Sequence, residues 1–272
     1  MTTCKFPAAA ALCAALLLTA SLSSCQQAPP ARGFVPHHEE PAPADRETAT
    51  LLERHRITQT VTADLNTYLD LPHRIEVTTR SCEGEGSGYD PGARRIELCY
   101  DDLTEDRELF EQAGDTPADD PVAAVARETL YHEAGHALID TLGLPVPDDR
   151  TEEDAADRFA QLMLLRDGRP DGAQTLLAAA RAYDLAAAAH PEPDPEDEHA
   201  PDPARAESHR CATYGAAPTH HPALATPPRT PCPHTWTTTR DAWLKDLAPV
   251  LRPQPDGARK RADRLVPAEP AV

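Results

Sequence analysis

The chain has 272 residues, a net charge of -19 and only 4% aromatic residues. That length holds one sizeable domain with tails and leaves little room for two independent cores. The acidity excludes nucleic acid as a partner, since phosphate binding needs a basic face, and otherwise serves solubility; with so few aromatics, the core must be built from Ala, Val and Leu on packed helices.

Residues 1–24 read as an export signal. Lys5 gives a weakly positive start, and residues 8–20 form an apolar run too short for an ordinary transmembrane helix. Leu22-Ser23-Ser24-Cys25 follows and resembles the lipobox of bacterial lipoproteins. The resemblance implies cleavage before Cys25, lipid on its thiol, and an exported protein anchored on the outer face of the bacterial cytoplasmic membrane. A plain secretory signal is the alternative. Residues 25–45 are Pro-rich and polar, without apolar periodicity, as a tether is. Of the seven cysteines, Cys4 and Cys13 leave with the signal and Cys25 carries lipid, so Cys82, Cys99, Cys211 and Cys232 remain. An even remainder in an oxidising compartment implies two disulfides. Proximity favours Cys82–Cys99 and Cys211–Cys232; no Cys-x-x-Cys spacing supports a four-cysteine zinc site.

Ile57, Val61, Leu65 and Leu69 recur every four residues, which predicts one amphipathic helix over 46–70. Residues 74–80 alternate as a half-buried strand does, 84–92 read as a loop, and 95–100 alternate again. From residue 120 the pattern turns helical and runs to about 142, where Gly143 and Pro145 stop it. A further helix is expected from Thr151, as N-cap, with Glu152, Glu153 and Asp154 in its first turn. Helices are also expected over 171–189, 204–214 and 236–251, with an acidic, Pro-rich loop over 190–205 and a disordered tail from 253. The expected fold is α+β and mainly helical, with the folded domain over 46–252 and a small β-hairpin or sheet stapled by Cys82–Cys99.

His132-Glu133-Ala134-Gly135-His136 is a His-Glu-x-x-His motif within the helix over 120–142. Spacing of four puts both imidazoles on one helical face, where they can share a tetrahedral zinc ion, and Glu133 then projects beside the metal as a general base. A catalytic zinc needs a third protein ligand. Ile139 and Leu142 stand where one large class has its Gly and third His, which excludes that class. In the thermolysin-like class a Glu on the following helix is the ligand, with an Asp four residues later. Glu153 and Asp157 meet that pattern: Glu153 can reach the metal while Asp157 accepts the N–H of His132. Glu152 is a possible substitute ligand, but it lies about 100° around the helix. Asp140, four beyond His136, is either a partner to that imidazole or an exposed acid. Tyr131 reads as core. His37, His38, His220 and His221 lie in Pro-flanked loops and offer adventitious metal binding at most.

Residues 131–165 as a whole resemble a bacterial family of metallopeptidases filed as a domain of unknown function. The stretch Tyr89-Asp90-Pro91 to Ile96-Glu97-Leu98-Cys99-Tyr100 is similar to the family's edge strand. Asp197-Glu198-His199, Cys211, Tyr214-Gly215 and Cys232-Pro233 resemble its C-terminal portion more loosely. The resemblance covers roughly residues 50 to 250. It implies a zincin-like fold of the gluzincin class with zinc as cofactor and a peptide or protein as substrate, and it names no particular substrate. It also makes His199 the candidate for oxyanion stabilisation, with a solvated loop histidine as the alternative; the strand over 95–100 is expected to border the cleft. A non-catalytic zinc-binding lipoprotein, as pseudoenzyme or metal carrier, is the alternative function; the intact Glu133 argues against it.

Overall fold

The computed structural model describes residues 32–168, 170–192 and 197–253. The expected signal, Cys25 and the tail from 254 lie outside the described residues. Eight α-helices and a four-stranded sheet make the described part α+β and mainly helical. Among these residues no helix is long and apolar enough to cross a membrane.

Part of the expected tether is a strand. Residues Gly33–His38 form β1, parallel to β2 (Arg74–Arg80), with Gly33 opposite Arg74 and His38 opposite Thr79. The reason lies in two side chains that local polarity does not reveal. Phe34 is fully buried. Asn66 accepts from its N–H at 2.9 Å and donates to its carbonyl at 2.7 Å, so a side chain satisfies that stretch of the outer edge. Pro36 is tolerated because β1 ends the sheet.

Helices α1 (Arg46–His55) and α2 (Ile57–Tyr68) replace the single helix expected over 46–70. Arg56 between them is left-handed, with φ 51°. A helix continuing from buried Ala49 and Leu52 would next present Arg56 and Gln59 to the core. The apolar stripe instead resumes at Ile57, Val61 and Leu65, and the break re-phases it.

The sheet order is β1-β2-β4-β3, with β4 (Arg95–Cys99) parallel to β2 and β3 (Gly88–Asp90) antiparallel to β4. Disulfides join Cys82 to Cys99 and Cys211 to Cys232, the pairings that proximity favours. Helix α3 (Tyr100–Gln112), unassigned from the sequence, buries Tyr100, Leu103, Arg107 and Phe110. Its first turn pins the loop ahead of β3: Asp101 accepts from the Cys82 and Gly84 N–H groups, and Asp102 from Ser87.

Helix α4 (Asp119–Leu142) is buried on most sides, and the polar Glu128, His132 and Glu133 are buried along with its apolar residues. It packs against α5 (Asp149–Leu165), α6 (Pro170–Ala189), α2, α3 and β4. Gly143, with φ 62°, ends it as expected. The cap of α5 differs from expectation. Asp148, not Thr151, is the N-cap, and it accepts from the Thr151 N–H at 2.8 Å. A carboxylate can reach the exposed amides of the first turn from one position before the helix, whereas Thr151 already lies inside it. Helices α7 (Asp202–Ala216) and α8 (Cys232–Leu247) close the fold.

Helices α4 and α5 touch backbone to backbone at Gly135. A Cβ there would lie 2.8 Å from the Ala156 Cα and 3.3 Å from its carbonyl oxygen. Gly135→Val is therefore expected to force the helices apart and lower unfolding stability by about 1–3 kcal/mol, measurable by urea titration. Unchanged stability would show that the pair can part without loss.

Candidate metal centre

Glu128, His132, His136 and Asp140 stand four residues apart along α4, and Glu152, Glu153 and Asp157 face them from α5. The His132 Nδ1–H donates to Asp157 Oδ1 at 2.8 Å. The His136 Nδ1–H donates to Glu152 Oε1 at 2.9 Å. Each neutral ring therefore carries its proton on Nδ1 and leaves a lone pair on Nε2. Those two Nε2 atoms lie 3.1 Å apart. Two lone pairs at that distance repel unless a cation or a proton lies between them. Glu153 closes the triangle, with Oε2 3.0 Å from His132 Nε2 and Oε1 3.3 Å from His136 Nε2. Its Oε2 is buried and makes no well-formed hydrogen bond, although His132 and His199 nitrogens lie within 3.0 Å of it. The atoms converge on a common point. Two imidazoles and a carboxylate arranged so are a donor set that fits zinc.

The electrostatics of these side chains carry the same mark. Burial opposes protonation of His132, but the Asp157 and Glu153 carboxylates outweigh it and push its pKa up to about 10. His136 moves up against its own burial, chiefly through Glu153. Glu153 is held far below the carboxylate range by three imidazoles that outweigh its desolvation. Asp157 is likewise depressed, by Arg205 and His132. A proton takes the place between ring and carboxylate that a cation would take. Glu133 moves the other way, raised by burial.

The third expected imidazole is also here. His199 Nε2 lies 2.8 Å from Glu153 Oε2, and its Nδ1 lies 3.0 Å from Asp197 Oδ1. Arg150 holds this segment by donating to the carbonyls of Asp197 and Glu198.

The family model described as "Putative metallopeptidase" (DUF4344) matches residues 37–247. The chain belongs to this metallopeptidase family. Neither a curated protein nor a solved structure matches it.

In this family member the centre opens into a cleft of about 620 Å³, lined by Glu133, both motif histidines, Glu153, His199 and the segment Ser87-Gly88-Tyr89. Two expectations need correcting. Asp140 does not support His136: it accepts from the Tyr89 hydroxyl at 2.8 Å, and Glu152 takes the role. Asp140 lies one turn nearer the end of α4, under the hairpin, whereas Glu152 sits in the first turn of α5 opposite His136. The strand bordering the cleft is β3, not residues 95–100, because β4 is enclosed between β2 and β3. Tyr131 is core as expected, and its hydroxyl donates to Asp64 at 2.6 Å.

A second buried cluster went unrecognised in the sequence. His209 on α7, with no exposed surface, meets Glu128 Oε1 at 3.1 Å through Nε2 and the Gln161 amide at 3.1 Å through Nδ1. Glu128 and His209 could join Asp157 as three metal donors, but the Arg205 guanidinium already holds both Asp157 oxygens. That site has its cation. Two spacings of four carried the signal: Glu128 before His132, and Arg205 before His209. Replacing His209 with Leu strands the Glu128 carboxylate in the core. It is expected to lower stability by about 1–3 kcal/mol, read from denaturant midpoints. A neutral outcome would mean that water reaches Glu128.

Proposed function

We propose that the protein is a zinc peptidase with a zincin-like, gluzincin-type site, in which His132, His136 and Glu153 hold the ion. The observation that carries this reading is the convergence of the two Nε2 atoms, 3.1 Å apart, with the Glu153 oxygens 3.0 and 3.3 Å from them. When bound there, zinc supplies Lewis acidity to a substrate carbonyl and acidifies a water. Asp157 and Glu152 fix the two imidazoles by their Nδ1 atoms and so aim both Nε2 atoms at one point. Glu133 is 6% exposed, lines the cleft, and enters no hydrogen bond with a described residue. It is free to take a proton from the attacking water and return it to the leaving amine. His199, which lines the cleft with its Nδ1 3.0 Å from Asp197 Oδ1, is the proposed donor to the oxygen that gains charge during attack. An extended peptide fits along β3, the outer strand beside the cleft.

The intact base and the open cleft favour this reading over a metal carrier or pseudoenzyme. On Glu133→Gln, zinc content is expected to stay near one per chain while peptide hydrolysis is lost. Glu153→Ala is expected to lose the ion, and Glu152→Ala to weaken it less. His199→Ala should keep zinc and lose about 10²–10³ in kcat; loss of zinc instead would make His199 a ligand. Full hydrolysis by Glu133→Gln would sink the mechanism, and a wild type that binds zinc but cleaves no peptide would leave the carrier reading.

We also propose that Cys25 is lipidated and that the domain works outside the cytoplasmic membrane. The support is Leu22-Ser23-Ser24-Cys25 at the end of the apolar run, together with two disulfides that require an oxidising compartment. Palmitate labelling of the full chain should be lost in Cys25→Ser. A full chain that takes up no label, or a protein found free outside the cell, would favour a plain secretory signal, and labelling that persists in Cys25→Ser would move the lipid to another residue.

A further inference from the structure

Asp157 is buried with two acceptor oxygens, and the His132 imidazole engages only one of them. The rest of its bonding comes from α7, a helix some 48 residues further along the chain. Arg205 Nη2 donates to Asp157 Oδ1 at 2.7 Å, and its Nε to Oδ2 at 3.1 Å. Two contacts from one rigid guanidinium fix the rotation of the carboxylate, which a single hydrogen bond cannot do. The guanidinium is itself held, 4.4 Å over the ring of Tyr183 on α6, and its side chain is only 12% exposed. Arg205 thus brings α6 and α7 to bear on the α5 carboxylate that orients an α4 imidazole.

We propose that Arg205 is a positioning residue of the metal centre: its fork locks Asp157, so that Asp157 presents His132 Nε2 to the ion already aligned. The inference rests on the reading of His132 as a zinc ligand. Without the fork, Asp157 turns about its Cβ–Cγ bond and the His132 ring loses its fixed partner. Part of the binding free energy is then spent on ordering the ligand. The bland alternative is an ion pair that merely ties α5 to α7.

The experiment measures zinc affinity, by competition with a chromophoric chelator, and the visible spectrum of the cobalt-substituted protein. It compares wild type, Arg205→Met and Arg205→Lys. Arg210→Met is the control for a loosened α7, because Arg210 anchors the same helix to Asp184 on α6. Zinc affinity is expected to fall about 10-fold or more in Arg205→Met, with an altered cobalt spectrum. Arg205→Lys, which keeps the charge and loses the fork, should fall between. Arg210→Met should shift the unfolding temperature alone. Unchanged affinity and spectrum in both Arg205 variants would overturn the proposal, as would an equal loss in Arg210→Met. Should Arg205→Met fail to fold, Arg205→Lys decides by the same two readouts. A wild type that binds no zinc removes the metal reading together with this one; a wild type that binds it, with indifferent Arg205 variants, removes only the positioning role.

Discussion

The candidate metal centre depends on how closely α4 and α5 approach at Gly135 and Ala156. No side chain fits between their backbones at that point. The contact lies immediately before His136 on one helix and immediately before Asp157 on the other. Only at that separation can the short carboxylate of Asp157 reach His132 Nδ1 while Glu153, one turn earlier, reaches both Nε2 atoms. A wider crossing would need longer side chains, and longer side chains carry more rotamers to freeze.

Placing so many ionisable groups in a core of Leu, Ala and Phe is costly unless each finds a partner of opposite charge or a hydrogen bond. The chain solves this as one network. Glu152 and Asp157 each take an imidazole, Arg205 takes Asp157, and His209, itself bonded to the Gln161 amide, takes Glu128. Two of the compensating groups, Arg205 and His209, come from α7, which has no part in the His-Glu-x-x-His motif. The close seat of α7 on α8, where a Cβ at Gly215 would lie 2.4 Å from the Cys232 carbonyl, and the Cys211–Cys232 disulfide hold that helix in place. The loosely matching C-terminal region thus stabilises the buried acids of the site.

The other wall of the cleft is built by different means. The segment from Cys82 to Ser87 has little apolar surface, and it is secured by the Cys82–Cys99 disulfide and by four donors to Asp101 and Asp102. This leaves β3 standing beside the motif helix with Tyr89 tied to Asp140. Ordered elements thus border the cleft on both sides.

What the sequence by itself determined was local. Spacing of four within a helix put His132 with His136 and Glu153 with Asp157, because helical geometry is set by neighbours in the chain. Cysteine count and proximity identified both disulfides, and alternation found β2 and β4. What only the tertiary structure decided was long-range. Strand β1 looked like tether because its pairing depends on Asn66 and β2, more than thirty residues away. The cleft strand proved to be β3 because sheet order, not alternation, decides which strand has a free side. Glu152 rather than Asp140 serves His136, and Arg205 serves Asp157, because an acid or a cation is only as useful as the distance at which folding leaves it from its partner. Helical periodicity gives a side chain's direction along its own element; the approach of another element fixes what that side chain meets.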